Sequence, residues 1–250
     1  MTLSSIYPDA TLYSEKMNEL VHFLPTKKRA VAKKPASPAV KATTATRTND
    51  PARTMAGILE VATKEFAEKG LSGARIDEIA AATKTSKRMI YYYFGNKEGL
   101  YVAVLEESYR RMRAIEAAQH LQDLAPEAAL RKLVEFTFDH HQGNPDYIRL
   151  VMNENMERGA YLAQSKTIRE LNVPAIQAIR QLYDRGVSEG VFRPGLDPID
   201  IHASISELTF FNVSNQHTFG LIFKHDGQTP EALVARRHSV VELIVRFVRC

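Results

Sequence analysis

The chain has 250 residues, 44% of them hydrophobic and 25% charged, and a formal net charge of +4, enough apolar matter for one substantial core or two domains. No stretch approaches the roughly 18 uninterrupted apolar residues of a membrane span, and no basic region followed by an apolar block opens the chain, so neither a membrane nor a secreted protein is expected. Cys250 is the only cysteine, which excludes an intrachain disulfide and points to a reducing cytoplasm.

The charge is unevenly spread. Residues 1–53 hold nine Lys or Arg against four acids, residues 54–118 ten against nine, and residues 119–250 fourteen against sixteen. Within residues 1–24, Leu12, Tyr13, Met17, Leu20, Val21 and Leu24 recur at helical spacing, which fits a weak amphipathic helix or an unstructured leader. Residues 25–48, with Lys27, Lys28, Arg29, Lys33 and Lys34 among Pro25, Pro35 and Pro38, cannot bury a core and are expected to be disordered. Residues 1–49 therefore read as a basic arm, one that follows phosphates or enters a minor groove, or one that only solubilises.

Asp50-Pro51 supplies an N-cap and a first-turn proline, and the stripe of Ile58, Ala62 and Phe66 ends at Gly70, an expected left-handed cap. Arg75 to Thr83 reads as a second helix, with Asp77 and Glu78 in its first turn where the dipole favours acids. Ser86 then caps a short helix to about Tyr93, and Asn96 caps the next. Here the dipole rule is broken, because Lys87 and Arg88 open one helix and Lys97 the other. As solvated ends they would cost a few tenths of a kcal/mol each. A polyanion held by the free N–H groups would turn that cost into affinity.

Two short helices joined by a tight turn, the second presenting its N-terminal side chains, form a helix-turn-helix whose second helix enters the major groove. On this reading Lys87 and Arg88 reach base edges or phosphates, and Tyr91 and Tyr92 reach phosphates or thymine methyls. Arg75, Ser86 and Lys97 hold the backbone.

A long helix is expected from Asn96 to about Ala118, apolar through Leu100, Val104, Leu105, Tyr109, Met112 and Ile115, with Arg110, Arg111 and Arg113 crowding its last half. Further helices are expected over Pro126–His141, Pro145–Arg158 and Ala163–Glu189, the last kinked or divided by Pro174. Pro198–Phe223 and Pro230 to the C-terminus complete an all-α chain. These last two are apolar on more than one side, which calls for a second buried surface or for full burial inside the monomer.

Polar residues in apolar settings are the candidates for small-molecule contact: His141, Asn155, and Asn215 beside Phe211. Satisfied core or interface hydrogen bonds are the more common explanation of such residues. Asp139, His140 and His141 do not read as a metal site, because adjacent helical side chains diverge by about 100°. No metal and no cofactor is expected. The alternative of an all-helical small-molecule-metabolising enzyme with an incidental basic N-terminus lacks a nucleophile elbow, a phosphate-cradling glycine loop or metal-ligand spacing to support it.

The run from Ile58 to Gly70, then Ile79-Ala80, Ser86, and Ile90-Tyr-Tyr-Tyr-Phe-Gly-Asn-Lys-Glu-Gly-Leu100 resembles the DNA-binding domain of TetR-type bacterial repressors over about residues 53–105. The resemblance implies a helix-turn-helix DNA-binding domain at 50–97 and an effector-binding and dimerisation domain at 98–250. It further implies a homodimer through the last two helices, released from a double-stranded, pseudo-palindromic DNA operator by a small-molecule effector. Two departures stand out. Ala74 replaces a capping Thr, and Lys84 replaces a turn Gly.

Overall fold

A computed structural model describes residues 50–250; the expected basic arm, residues 1–49, lies outside the described residues. Ten α-helices run in chain order: α1 (Pro51–Gly73), α2 (Ile76–Thr83), α3 (Lys87–Phe94), α4 (Lys97–Ala117), α5 (Pro126–Gly143), α6 (Pro145–Met156), α7 (Lys166–Ser188), α8 (Pro198–Ser214), α9 (Gln216–Phe223) and α10 (Pro230–Val248). Single 3₁₀ turns at Leu121–Asp123 and Leu162–Gln164 precede α5 and α7. Among the described residues no strand forms.

The helices gather into two apolar clusters. One packs Ile58, Ala62 and Phe66 of α1 against Ile79 of α2, Ile90 of α3 and Leu100, Tyr101, Val104 and Leu105 of α4, and extends to Leu150 of α6 and Ile168 of α7. The other joins Leu130, Leu133, Val134 and Phe138 of α5 to Ile179 and Leu182 of α7, Ile201 and Ile205 of α8 and Val240, Ile244 and Val248 of α10. Helix α4 begins in the first cluster and runs past it, with Met112 still buried near its far end.

Local chemistry sets the boundaries. Asp50 Oδ1 accepts from the N–H groups of Ala52 (3.0 Å) and Arg53 (3.4 Å), and Gly70 takes φ 67° where α1 bends into its last turn. Two expectations need correction. Pro198–Phe223 is not one helix but two, because the backbone leaves helical geometry at Asn215 (φ −106°, ψ 3°), although its N–H still reaches the Phe211 carbonyl (3.1 Å) and its carbonyl still receives the Phe219 N–H (2.9 Å). Helix α7, by contrast, continues through Pro174. That residue is exposed, so the carbonyl it deprives of a partner can face water.

The second cluster is locked at one end by Phe192. Its ring is 2% exposed and lies over Gly186 of α7, where an added Cβ would come within 2.0 Å of it. Arg193 N–H reaches the Val248 carbonyl (2.9 Å), and Tyr183 Oη donates to the Arg193 carbonyl and accepts from Leu196 N–H, both at 2.9 Å. Helix propensity alone would have Gly186→Ala stabilise α7 by about 1 kcal/mol. Overpacking against Phe192 reverses the sign, and we expect a loss of about 1–3 kcal/mol, measured by urea denaturation.

Candidate nucleic-acid interface and buried polar cluster

Helix α3 is anchored by one side chain and open on the other side. Ile90 is fully buried and Tyr93 and Phe94 pack against the first cluster, whereas Lys87, Arg88, Tyr91 and Tyr92 are exposed. These positions, i, i+1, i+4 and i+5, share one helical face. Tyr92 is 77% exposed. Ser86 Oγ accepts from Met89 N–H (3.2 Å) and Asn96 Oδ1 from Gly99 N–H (2.7 Å), which leaves the first N–H groups of α3 and α4 without intrahelical acceptors.

The cations differ in their partners. Lys87 is paired with Asp77 of α2, both about half exposed, and Lys69 bridges Glu65 and Glu78. Lys97 donates to the Ser72 carbonyl (3.3 Å) at the end of α1. Arg88 and Lys84 form no ion pair among the described residues. An exposed pair is worth at most about 1 kcal/mol, so Lys87 can exchange Asp77 for a phosphate at small cost.

Both departures from the motif have visible consequences. Ala74 is buried, and Arg75, at the cap position, makes no side-chain cap; Glu65 Oε1 of α1 accepts the Arg75 N–H instead (3.1 Å). Lys84 takes the left-handed conformation (φ 53°, ψ 35°) that a glycine would adopt freely.

A second constellation lies where α4, α5, α6 and α8 meet. Arg113 and Glu116 of α4 form an ion pair whose side chains are each only 11% exposed. Around it stand Tyr109 of α4, His140 and His141 of α5, Tyr147 of α6 and His202 of α8. Ring centroids are 5.7 Å apart for Tyr109–Tyr147, 5.6 Å for His140–Tyr147 and 6.1 Å for His141–Tyr147, the last pair stacked at 27°. Burial, reinforced by the nearby Arg113 charge, lowers the pKa of His140 and His202. In His141 burial, with the His140, Arg113 and His202 charges, brings it down to about 4. Burial pushes Glu116 and Tyr147 up. Arg113 Nε, His140 Nδ1 and His141 Nδ1 are buried without a hydrogen-bond partner.

Two cavities open on the surface. One, about 310 Å³, is bounded by α1, α4 and the α5–α6 turn and shares His140 and Tyr147 with the cluster. The other, about 380 Å³, lies among α8, α9 and α10 and includes Phe211, Asn212, Asn215 and Phe219. The four candidate ligand residues thus separate: His141 is in the buried cluster and Phe211 and Asn215 are in the second cavity. Asn155 is not on a buried face; it is exposed and its amide turns back to the Val151 carbonyl (2.9 Å). The cluster residues Arg113, Glu116 and Tyr147 were missed in the sequence. The available signal was the i, i+4, i+7 spacing of Tyr109, Arg113 and Glu116 on one face of α4. Among the described residues no group of three metal-capable side chains converges, and no helix is long and apolar enough to cross a membrane.

The family description "Bacterial regulatory proteins, tetR family" matches residues 58–104, and "Tetracyclin repressor-like, C-terminal domain" matches residues 126–244. The chain belongs to the TetR family. It is 32% identical over 206 residues to the HTH-type transcriptional repressor NicS of Pseudomonas putida, covering 82% of this chain and 97% of that protein. It is 37% identical over 139 residues to the HTH-type transcriptional repressor SCO4008 of Streptomyces coelicolor, 55% of this chain and 69% of that one. Among solved structures, a bacterial regulatory protein in the tetR family from Rhodococcus superposes with a TM-score of 0.62 at 23% identity, covering 79% of this chain and 98% of that one. At that identity the likeness is one of fold. This TetR-family chain is a helix-turn-helix transcriptional regulator and not an enzyme.

The buried histidines make stability depend on pH. His141 is neutral when folded and takes up a proton near 6.5 when unfolded, so the unfolded chain binds more protons between pH 6.5 and about 4. We expect stability to fall across that window by on the order of 3 kcal/mol from His141. His141→Phe should flatten the slope of melting temperature against pH.

Proposed function

We propose that this regulator is a cytoplasmic homodimeric repressor that holds a pseudo-palindromic operator and lets go when a small molecule binds. In this reading residues 50–97 form the DNA-reading head and residues 98–250 the effector-binding and dimerisation domain. What carries it is the exposed α3 face, where Lys87, Arg88, Tyr91 and Tyr92 project opposite the buried Ile90. Arg88, with no competing carboxylate in an ion pair, reads a base edge or clamps a phosphate; Lys87 joins it by leaving Asp77. Ser86, Arg75 and Lys97 steady the backbone. Repression is favoured by the two relatives, each named a transcriptional repressor.

Dimerisation is supported by unburied apolar surface. Leu221 is 82% exposed, and Ile222, Phe223, Phe219, Val234 and Leu243 on α9 and α10 are exposed with it. A second copy applying the same surface would cover them by two-fold symmetry and set the two α3 helices about 34–36 Å apart, or a helical-turn variant of that spacing. Helix α4 links the head to the body, so an effector that shifts α4 changes that spacing.

The direct test is a gel shift with fragments selected from the source genome. Arg88→Ala should weaken binding by about 1–3 kcal/mol and relax the preference at one base pair, while Lys97→Ala should weaken all sequences alike and flatten the salt slope by about one unit. Binding that is indifferent to Arg88 would remove α3 as the reading helix. In sedimentation, Leu221→Glu with Ile222→Glu should convert the dimer to monomer and abolish tight operator binding. A doubly substituted chain that still sediments as a dimer would place the interface elsewhere.

A further inference from the structure

The first turn of α2 carries two acids in succession, and they pair with different helices. Glu78 meets Lys69 of α1, a lysine that Glu65 also holds, while Asp77 meets Lys87, the first residue of α3. The helix dipole explains an acid in that turn, and Glu78 alone would satisfy it. It does not explain why the second carboxylate reaches across to the face that Lys87, Arg88, Tyr91 and Tyr92 expose. Among the described residues, Asp77 is the one acid paired with a cation of that face.

An ion pair whose side chains are both about half exposed adds little to stability. Its effect on a polyanion is larger, because a carboxylate on the binding face repels phosphates and also occupies the ammonium that would meet one. Sequence-independent binding to duplex DNA runs through the phosphates, and at ~0.15 M salt each one neutralised is worth about fivefold in affinity. With Lys87 held by Asp77, a protein lying loosely on DNA of any sequence has one cation fewer to offer. Only a duplex seated against α3, its phosphates and base edges fixed within reach, presents an acceptor steadily enough to take Lys87 from Asp77.

We infer that Asp77 is a specificity-determining residue, an internal stand-in for a DNA phosphate that keeps Lys87 out of loose, sequence-independent complexes and yields it in the seated operator complex. The inference rests on the reading of α3 as the DNA-reading helix and deepens it. Nothing in it asks Asp77 to touch DNA. The carboxylate acts through Lys87, and discrimination comes from weakening the wrong complexes more than the right one.

Titration of the full chain against two labelled duplexes of equal length tests this, one a fragment selected from the source genome and the other of randomised sequence, each followed by fluorescence anisotropy from about 50 to 200 mM salt. Asp77→Asn should tighten the randomised duplex about fivefold and steepen its salt slope by about one unit. The selected fragment should gain no more than about twofold, the worth of the exposed pair it no longer has to break, so the ratio of the two affinities falls. Asp77→Ser, a second neutral replacement, should do the same, with circular dichroism checking the fold of each variant. In a Lys87→Gln chain neither substitution should change the slope, because the cation they release is absent. Equal gains on the two duplexes, an unchanged slope on the randomised one, or a slope change that persists without Lys87 would overturn the inference. Arg88→Ala separates that failure from a wider one. If it leaves the preference for the selected fragment intact, α3 is not the reading helix and the role of Asp77 falls with it; if it erodes the preference while Asp77→Asn gives any of those three results, the role of Asp77 alone is lost.

Discussion

Helix α4 carries the core of the head and continues well beyond it, and the rest of the molecule depends on that. Leu100, Tyr101, Val104 and Leu105 are buried with α1, α2 and α3, while Met112 and the Arg113–Glu116 pair are buried farther along the helix, the pair beside His140, His141, Tyr147 and His202. Twenty-one residues at 1.5 Å each make a rod of about 30 Å. A close-packed rod transmits displacement instead of absorbing it. Its middle is tied sideways as well, by Ser165 Oγ at the start of α7, which donates to Glu106 Oε1 (2.6 Å). Helix α6 adds a second path, since Asn153 donates to the Phe66 carbonyl of α1 (3.1 Å) and buried Glu154 accepts from the Tyr161 and Leu162 N–H groups. Tyr147, near the start of α6, therefore sits on a helix that also touches α1 of the head.

The head shows how a binding face can be built at little cost to the fold. A left-handed lysine at position 84 costs about 1–2 kcal/mol relative to ordinary helical geometry, and a missing Thr cap about 1 kcal/mol. Glu65 offsets the second by taking the Arg75 N–H. The Lys87–Asp77 and Lys69–Glu78 pairs hold cations near α3 without neutralising Arg88. The result is an exposed face on which Lys87 is paired and Arg88 forms no ion pair among the described residues.

Much of this was legible in the sequence, and for identifiable reasons. Caps at Asp50, Ser86 and Asn96, glycine at 70 and prolines at 51, 126, 145, 198 and 230 are local signals, and helix starts follow them closely. Pro174 and Asn215 were harder to read because both depend on context: an exposed proline lets the carbonyl it frees face water and leaves α7 undivided, and the change of dihedral at Asn215 carries no strong local signal. The exposure of Asn155 and the burial of Arg113 were invisible for a different reason. Three arginines within four residues look like a solvated face, and which of them points inward is decided by helices α5, α6 and α8, all distant in sequence.

The two cavities are not equivalent claims on an effector. The one containing Phe211 and Asn215 opens among exposed apolar residues of α9 and α10, surface that a second copy of the chain would cover. Occupying it with a ligand and closing a dimer over it are competing uses of the same atoms. Neither cavity is lined by Arg113 or Glu116. A buried ion pair rarely stabilises more than apolar residues of the same volume would, and unpartnered imidazole and guanidinium nitrogens add a further cost of about 1–3 kcal/mol each. Arg131 and Arg237 meet carboxylates near the surface, whereas Arg113 and Arg185 each keep a buried Nε without a partner, so the α4 pair is a place where the fold forgoes stability.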